Sequence, residues 1–232
     1  MRLKRSCVKG KIITIDGPAG AGKTTVSRLL ARRTGCMYVD TGALYRAVAL
    51  AAASSGCIDD EDLLRNLLKK TTLEFRNKDN PRLFMNGEDI SDRIRSPEIT
   101  MLASRLSARP VVREYLLEIQ RDMGRDEGGI FEGRDMGTTV FPHAGVKFYL
   151  NASSKVRAFR RYKELLTTDA GIRPDEVAAD MKKRDLQDST RRLSPLKPAR
   201  DAILIDSGKM EIERVVETML QYVTRTYRPL DN

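Results

Sequence analysis

Near the amino terminus, Gly17-Pro18-Ala19-Gly20-Ala21-Gly22-Lys23-Thr24 combines three glycines, a lysine and a hydroxyl at the spacing G-x-x-x-x-G-K-[ST]. Glycines so placed let backbone N–H groups converge on one anion without Cβ clashes, and a helix starting there adds positive potential. Lys23 could then reach the β- and γ-phosphates of a nucleoside triphosphate, with the Thr24 hydroxyl on Mg²⁺. Thr25 stands at the same loop-to-helix junction and joins the expected ATP-binding residues. The letters alone could also be a tight turn followed by an incidental Lys-Thr. Context favours the phosphate site. Lys11-Ile12-Ile13-Thr14-Ile15 upstream suits a buried strand, and Val26, Leu29 and Leu30 downstream recur at helical spacing until Gly35.

A phosphate loop names the donor but not the acceptor, so the other strand ends must be read. Met37-Tyr38-Val39 predicts a second strand running into Asp40-Thr41-Gly42-Ala43-Leu44-Tyr45-Arg46, with a helix behind it that stops near Gly56. Asp59 and Asp60 can cap a helix bearing Leu63, Leu64, Leu67 and Leu68. Leu73 and Phe75, then Leu83 and Met85, alternate with polar residues. Asn77 to Pro81 is turn material, and Asn86-Gly87 is a hairpin signal leading into Glu88-Asp89-Ile90. This antiparallel patch, residues 58–96, reads as a small satellite inserted into a core of residues 1–57 and 97–232. Ser96-Pro97 and Pro110 open further helices, and Gly129–Glu132, Val146–Leu150 and Ala202–Ile205 are strands. Two basic helices lie within residues 152–192, and Glu211 to Tyr227 closes the chain as an amphipathic helix. Five short apolar strands separated by helices predict an α/β fold: a five-stranded parallel sheet covered on both faces. Ligands gather beyond the carboxyl ends of such strands, where Asp16, Asp40, Gly133-Arg134-Asp135 and Asp206 would share one rim.

Composition narrows the partners. The chain has 232 residues, 42 Lys plus Arg against 32 Asp plus Glu, and a net charge of +10. Such charge suits either a nucleic-acid surface or arginines gathered round small phosphorylated ligands. The arginines are dispersed, aromatics are 6% and Trp is absent, so platforms for stacking bases are sparse. The small-ligand reading is favoured, with no nucleic-acid partner. No apolar run has the length to span a bilayer, and the basic start Met1–Arg5 leads into an apolar segment broken at Asp16, so no export signal is expected. Cys7, Cys36 and Cys57 are odd in number without C-x-x-C spacing and read as reduced thiols of a cytoplasmic protein.

The chain resembles the bacterial-type cytidylate kinases, a branch of the nucleoside monophosphate kinases. The resemblance is carried by Ile13–Thr24, Asp40–Arg46, Glu132-Gly133-Arg134-Asp135-Met136-Gly137-Thr138, Arg184–Arg191 and Ser194-Pro195-Leu196, in family order. It implies a P-loop kinase with a helical lid, an inserted monophosphate-binding element, and transfer of phosphate from ATP with Mg²⁺ to CMP or dCMP. It makes a monomer the default. It implies that Thr41, Tyr45 and Arg46 lie along the acceptor, with Arg46 and Arg134 on its phosphate. Ser104, Arg113 and Asp135 would face the cytosine, while Arg184, Asp188 and Arg191 close over sugar and phosphate. Arg157, Arg160 and Arg161 fall in the lid, with Arg157 and Arg161 taken to ATP. Lys23, Arg134, Arg184 and Arg191 are the expected catalytic cations. Glu132 stands where the family often has Asp, and Gln187 where a basic residue is common.

These residue types suit the reaction on physical grounds. Phosphoryl transfer between two anions needs in-line positioning and fixed cations rather than a protein nucleophile. Arginines bind phosphate bidentately and stay charged. A GTPase switch would need N-K-x-D, and the nearest match, Asn77-Lys78-Asp79-Asn80, lacks the final Asp. A nucleic-acid-dependent ATPase would bring further motifs that are missing. A small kinase acting on UMP, AMP or a non-nucleotide stays open from the residues alone.

Overall fold

The computed structural model describes residues 10–77, 80–167 and 171–227. The basic start, Cys7, Lys78 and Asp79 of the expected turn, and residues 168–170 of the lid segment lie outside the described residues. In chain order the elements are β1 (Ile12–Asp16), α1 (Lys23–Thr34), β2 (Tyr38–Asp40), α2 (Thr41–Ser54) and α3 (Glu61–Lys69). Then come β3 (Leu73–Arg76), β4 (Arg82–Met85), β5 (Glu88–Asp89), α4 (Pro97–Leu106), α5 (Pro110–Glu127) and β6 (Gly129–Gly133). β7 (Val146–Asn151), α6 (Ser154–Leu166), α7 (Pro174–Thr190), β8 (Ile203–Asp206) and α8 (Ile212–Tyr227) complete the order.

The main sheet runs β2-β6-β1-β7-β8, and every pairing in it is parallel. Alternation along each strand covers both faces. Ile13, Ile15, Tyr38 and Ile130 pack with Val26 and Leu30 of α1 and with Val216 and Met219 of α8. On the opposite face Val39 and Phe131 meet Met136, Val140 and Phe141, with the two phenylalanine rings 4.4 Å apart. This is the P-loop NTPase arrangement. Because the strands are parallel, Asp16, Asp40, Gly133 and Asp206 all end at one edge, as their spacing predicts.

The inserted patch is a three-stranded antiparallel sheet in the order β3-β4-β5. Asn86 and Gly87 both have positive φ, 52° and 86°, which is what a two-residue hairpin turn requires. Its apolar side has no separate core. Leu73, Leu83 and Ile90 pack into one cluster with Leu44, Val48, Leu64, Leu106 and Leu116, joining the patch to α2, α3, α4 and α5.

Where β1 meets the phosphate loop, Gly17 has φ 147°, and a Cβ there would lie 2.0 Å from the backbone oxygen of Leu150. Alanine at Gly17 must therefore part β1 from β7. The variant is expected to melt about 5 °C or more below the parent, from overpacking and left-handed strain. A thermal melt of the purified variant checks this, and an unchanged midpoint would contradict the close approach.

Candidate active site

The loop between β1 and α1 forms as its glycines dictate. Gly22 is the N-cap of α1 in the left-handed conformation, with no side chain capping it, so the first amides of α1, from Lys23 to Thr25, point into the loop. Lys23 is buried there and its Nζ donates to the backbone oxygen of Pro18 at 2.8 Å. Burial, reinforced by the neighbouring Arg134, pushes Lys23 down to about 7. Thr24 Oγ1 donates to Glu132 Oε1 at 2.8 Å, and Tyr38 donates its hydroxyl to Glu132 Oε2 at 2.6 Å. Burial, and next the charge of Asp40, raises the Glu132 carboxyl. The extra methylene of Glu over Asp is thus used to reach the Thr24 hydroxyl.

Across the rim lies a group of half-buried arginines. Arg134 Nε donates to Asp188 Oδ2 at 3.0 Å, and Arg46 Nη2 to Asp40 Oδ2 at 2.8 Å. Burial works to raise Asp40, but Arg46 outweighs it and the carboxyl is held below its ordinary value. Arg184 differs from its neighbours. Its Nε is buried without a hydrogen-bond partner among the described residues, and burial and then Arg134 push its guanidinium down to about 10. Arg46 and Arg161 also repel it, and Arg134 and Arg184 both bear on Lys23. The loop lysine and the rim arginines therefore share one electropositive pocket.

Beside it, the turn after β6 holds Asp135 against two arginines. Arg113 Nη2 donates to Asp135 Oδ2, and Arg191 Nη2 lies 3.5 Å from Oδ1. The Arg113 guanidinium also sits over the Tyr45 ring, 5.8 Å from its centroid. Ser104 on α4 has a buried hydroxyl with no partner among the described residues, while its backbone oxygen accepts from Gln187 Nε2 at 2.9 Å. Gln187, which stands where a basic residue is common, ties α7 to α4. Thr41 Oγ1 donates to the backbone oxygen of Glu132 at 2.6 Å, a bond it must give up to donate to a phosphate.

The lid arginines, alike in sequence, are placed very differently. Arg157 is buried and fully engaged: Nε on Ala152 O, Nη1 on Ala19 O at 3.1 Å, and an ion pair with Asp185 at 2.7 Å. Arg160 donates to Ser207 Oγ and to Ser207 O, and its Nη1 lies 3.8 Å from a Cβ position at Gly22. Ser207 Oγ in turn donates to the backbone oxygen of Ala21 at 2.8 Å. Arg161 pairs with the exposed Glu164. Tyr38, Asp185 and Ser207 carry no sequence signal as site residues, because each acts through a partner distant in the chain, and Asp16 is legible only as a residue of the shared rim.

Comparison with known proteins identifies the family. The family model described as "Cytidylate kinase" matches residues 13–225. A protein named "Cytidylate kinase" from Syntrophotalea carbinolica is 46% identical over 95% of this chain and 94% of its own length. Its namesakes from Geobacter sulfurreducens, 47% identical over 95% of each chain, and Citrifermentans bemidjiense, 48% identical over 90% and 91%, are equally similar. Among solved structures, an uncharacterized protein from Eubacterium ventriosum superposes with a TM-score of 0.53 at 13% identity, over 92% of this chain and 98% of its own. That likeness speaks to the fold alone.

Proposed function

The chain belongs to the cytidylate kinase family, and from that premise we propose that it transfers the γ-phosphoryl group of ATP to CMP and dCMP, giving CDP and dCDP by direct in-line displacement. The observation that carries the reading is Arg184, a half-buried arginine whose buried Nε has no partner among the described residues, set among Arg134, Arg46 and Arg161 and close to Lys23. Buried like charges are costly unless an anion joins them. A monophosphate dianion supplies the missing charge and the missing acceptors.

Each residue then has a task. The α1 amides and Lys23 hold the donor phosphates, with Lys23 exchanging the Pro18 carbonyl for phosphate oxygens. Arg46, Arg134, Arg184 and Arg191 hold and orient the acceptor phosphate, and Asp188 keeps Arg134 in place beside the sugar. Arg113, Asp135 and Ser104 meet the base, with Tyr45 alongside. Thr24 Oγ1 and the adjoining Glu132 carboxylate offer one hydroxyl and one carboxylate. That small oxygen set fits a magnesium ion that keeps most of its ligands as phosphate and water. When bound, the ion neutralises charge on the β- and γ-phosphates. Arg161, paired among the described residues with an exposed carboxylate, is the lid arginine assigned to the transferring group, whereas Arg157 buttresses the loop at Ala19. A monomer acting in the cytoplasm is the simplest form of this reading; no helix among the described residues is long and apolar enough to cross a membrane.

Turnover with ATP and a panel of acceptors tests the proposal. CMP and dCMP should both be phosphorylated, and UMP and AMP poorly. Preference for UMP, AMP or a non-nucleotide acceptor would refute it.

A further inference from the structure

One buried carboxylate belongs to neither substrate subsite. Asp16 is the last residue of β1, directly before Gly17, and is 4% exposed. Its Oδ1 accepts from the Met136 amide at 2.9 Å and its Oδ2 from the Gly137 amide at 2.7 Å, partners 120 and 121 residues away in the chain. Those amides open a π-helical turn, Met136–Val140, immediately after Asp135. The turn is seated tightly: a Cβ at Gly137 would lie 3.0 Å from Thr14 Oγ1, 3.2 Å from Lys147 Cδ and 3.4 Å from Asp16 Oδ2. A buried carboxylate costs several kcal/mol unless its oxygens are satisfied, and here both are spent on backbone two residues from an arginine and one from a base-facing acid.

We propose that Asp16 is a positioning residue that couples the two halves of the site: its carboxylate rivets the base-reading turn to the mouth of the phosphate loop and so sets where Asp135 and Arg134 stand relative to Lys23. Asp16 acts through the Met136 and Gly137 amides, so loss of the rivet should misplace the acceptor while leaving the donor loop to its own glycines. This rests on the acceptor reading given above.

The test compares wild type with Asp16→Asn, which keeps the shape but sets an NH₂ group against an amide N–H. Expected are a fall in kcat/KM for CMP and a narrowing of the CMP-over-UMP preference, each about tenfold, as for loss of a hydrogen bond to a charged group. The Kd for ATP, measured by calorimetry, should move less than about threefold. Unchanged acceptor kinetics, or an equal loss of ATP affinity, would overturn the inference, whereas a wild type inactive on CMP would instead overturn the functional reading. A second measurement needs no variant. In wild type, CMP alone should slow hydrogen exchange at Met136 and Gly137 more than at Val216 of α8. Equal slowing at all three amides, or none, would likewise overturn it.

Discussion

Lys23→Met is expected to reduce turnover by about a hundred- to a thousandfold, the usual cost of losing one preorganised charge at a site where charge develops. The variant should stay folded, because the loop is shaped by its glycines and by Arg157 and Ser207, which hold the backbone oxygens of Ala19 and Ala21. Its thermal midpoint should be unchanged or higher. Lys23 is buried beside Arg134 and Arg184, which disfavour its charge in the free protein, and methionine removes that conflict while filling similar space. Loss of activity without loss of stability separates a functional lysine from a structural one. Steady-state kinetics and a melt on the same preparation decide it, and near-normal turnover would sink the donor-site assignment.

The second large effect is on base choice. Cytosine offers an N4 amine that donates and an N3 that accepts; uracil offers an O4 that accepts and an N3–H that donates. An ionised Asp135 only accepts and Arg113 only donates. The pair is locked: Arg113 bonds Asp135, and Arg191 supports the other carboxylate oxygen. Neither group can reverse its polarity to suit uracil, and the carboxylate has lone pairs to spare for N4–H. Buried polar sites of this kind reject the wrong ligand by up to ~10⁴-fold. Arg113→Met should narrow the CMP/UMP gap by about a hundredfold or more, raise the CMP requirement and leave ATP affinity nearly intact. Asp135→Ala should do the same and also lower stability, since it strands two buried guanidinium groups. Ser104→Ala should weaken both nucleotides with little change in preference, because a hydroxyl can donate or accept. Either charged-residue variant keeping wild-type discrimination would mean that other residues read the base.

Much of this arrangement could be read from local pattern. The strand, glycine loop and helix around Lys23 follow from β-branched residues, glycine spacing and a 3.6-residue period, each acting over a few residues. Asn86-Gly87 announced the hairpin for the same reason. What escaped the sequence is set by partners far along the chain. Asp16 ends a strand in any reading; that its oxygens seat a turn 120 residues on depends on β1 and β6 lying side by side. Glu132 differs from Asp by one methylene, and only the packed sheet shows Tyr38 and Thr24 converging on it. Arg157, Arg160 and Arg161 share one helix and one charge, yet packing commits the first to the loop backbone and the second to Ser207, and leaves the third half-buried beside the exposed Glu164. The irregular turn after Asp135 has no periodic signature, and the bond from the Gln187 amide to the backbone of Ser104 joins residues 83 apart in the chain.

The central claim is that the clustered rim arginines seat a monophosphate while Asp135 and Arg113 read cytosine beside it. Calorimetric titration of the wild-type protein with CMP, UMP and cytidine measures both parts without relying on turnover. CMP is expected to bind about a hundredfold or more tighter than either UMP, which has the wrong base edge, or cytidine, which has no phosphate to complete the arginine cluster. Equal affinity for CMP and UMP, or for CMP and cytidine, would contradict the account.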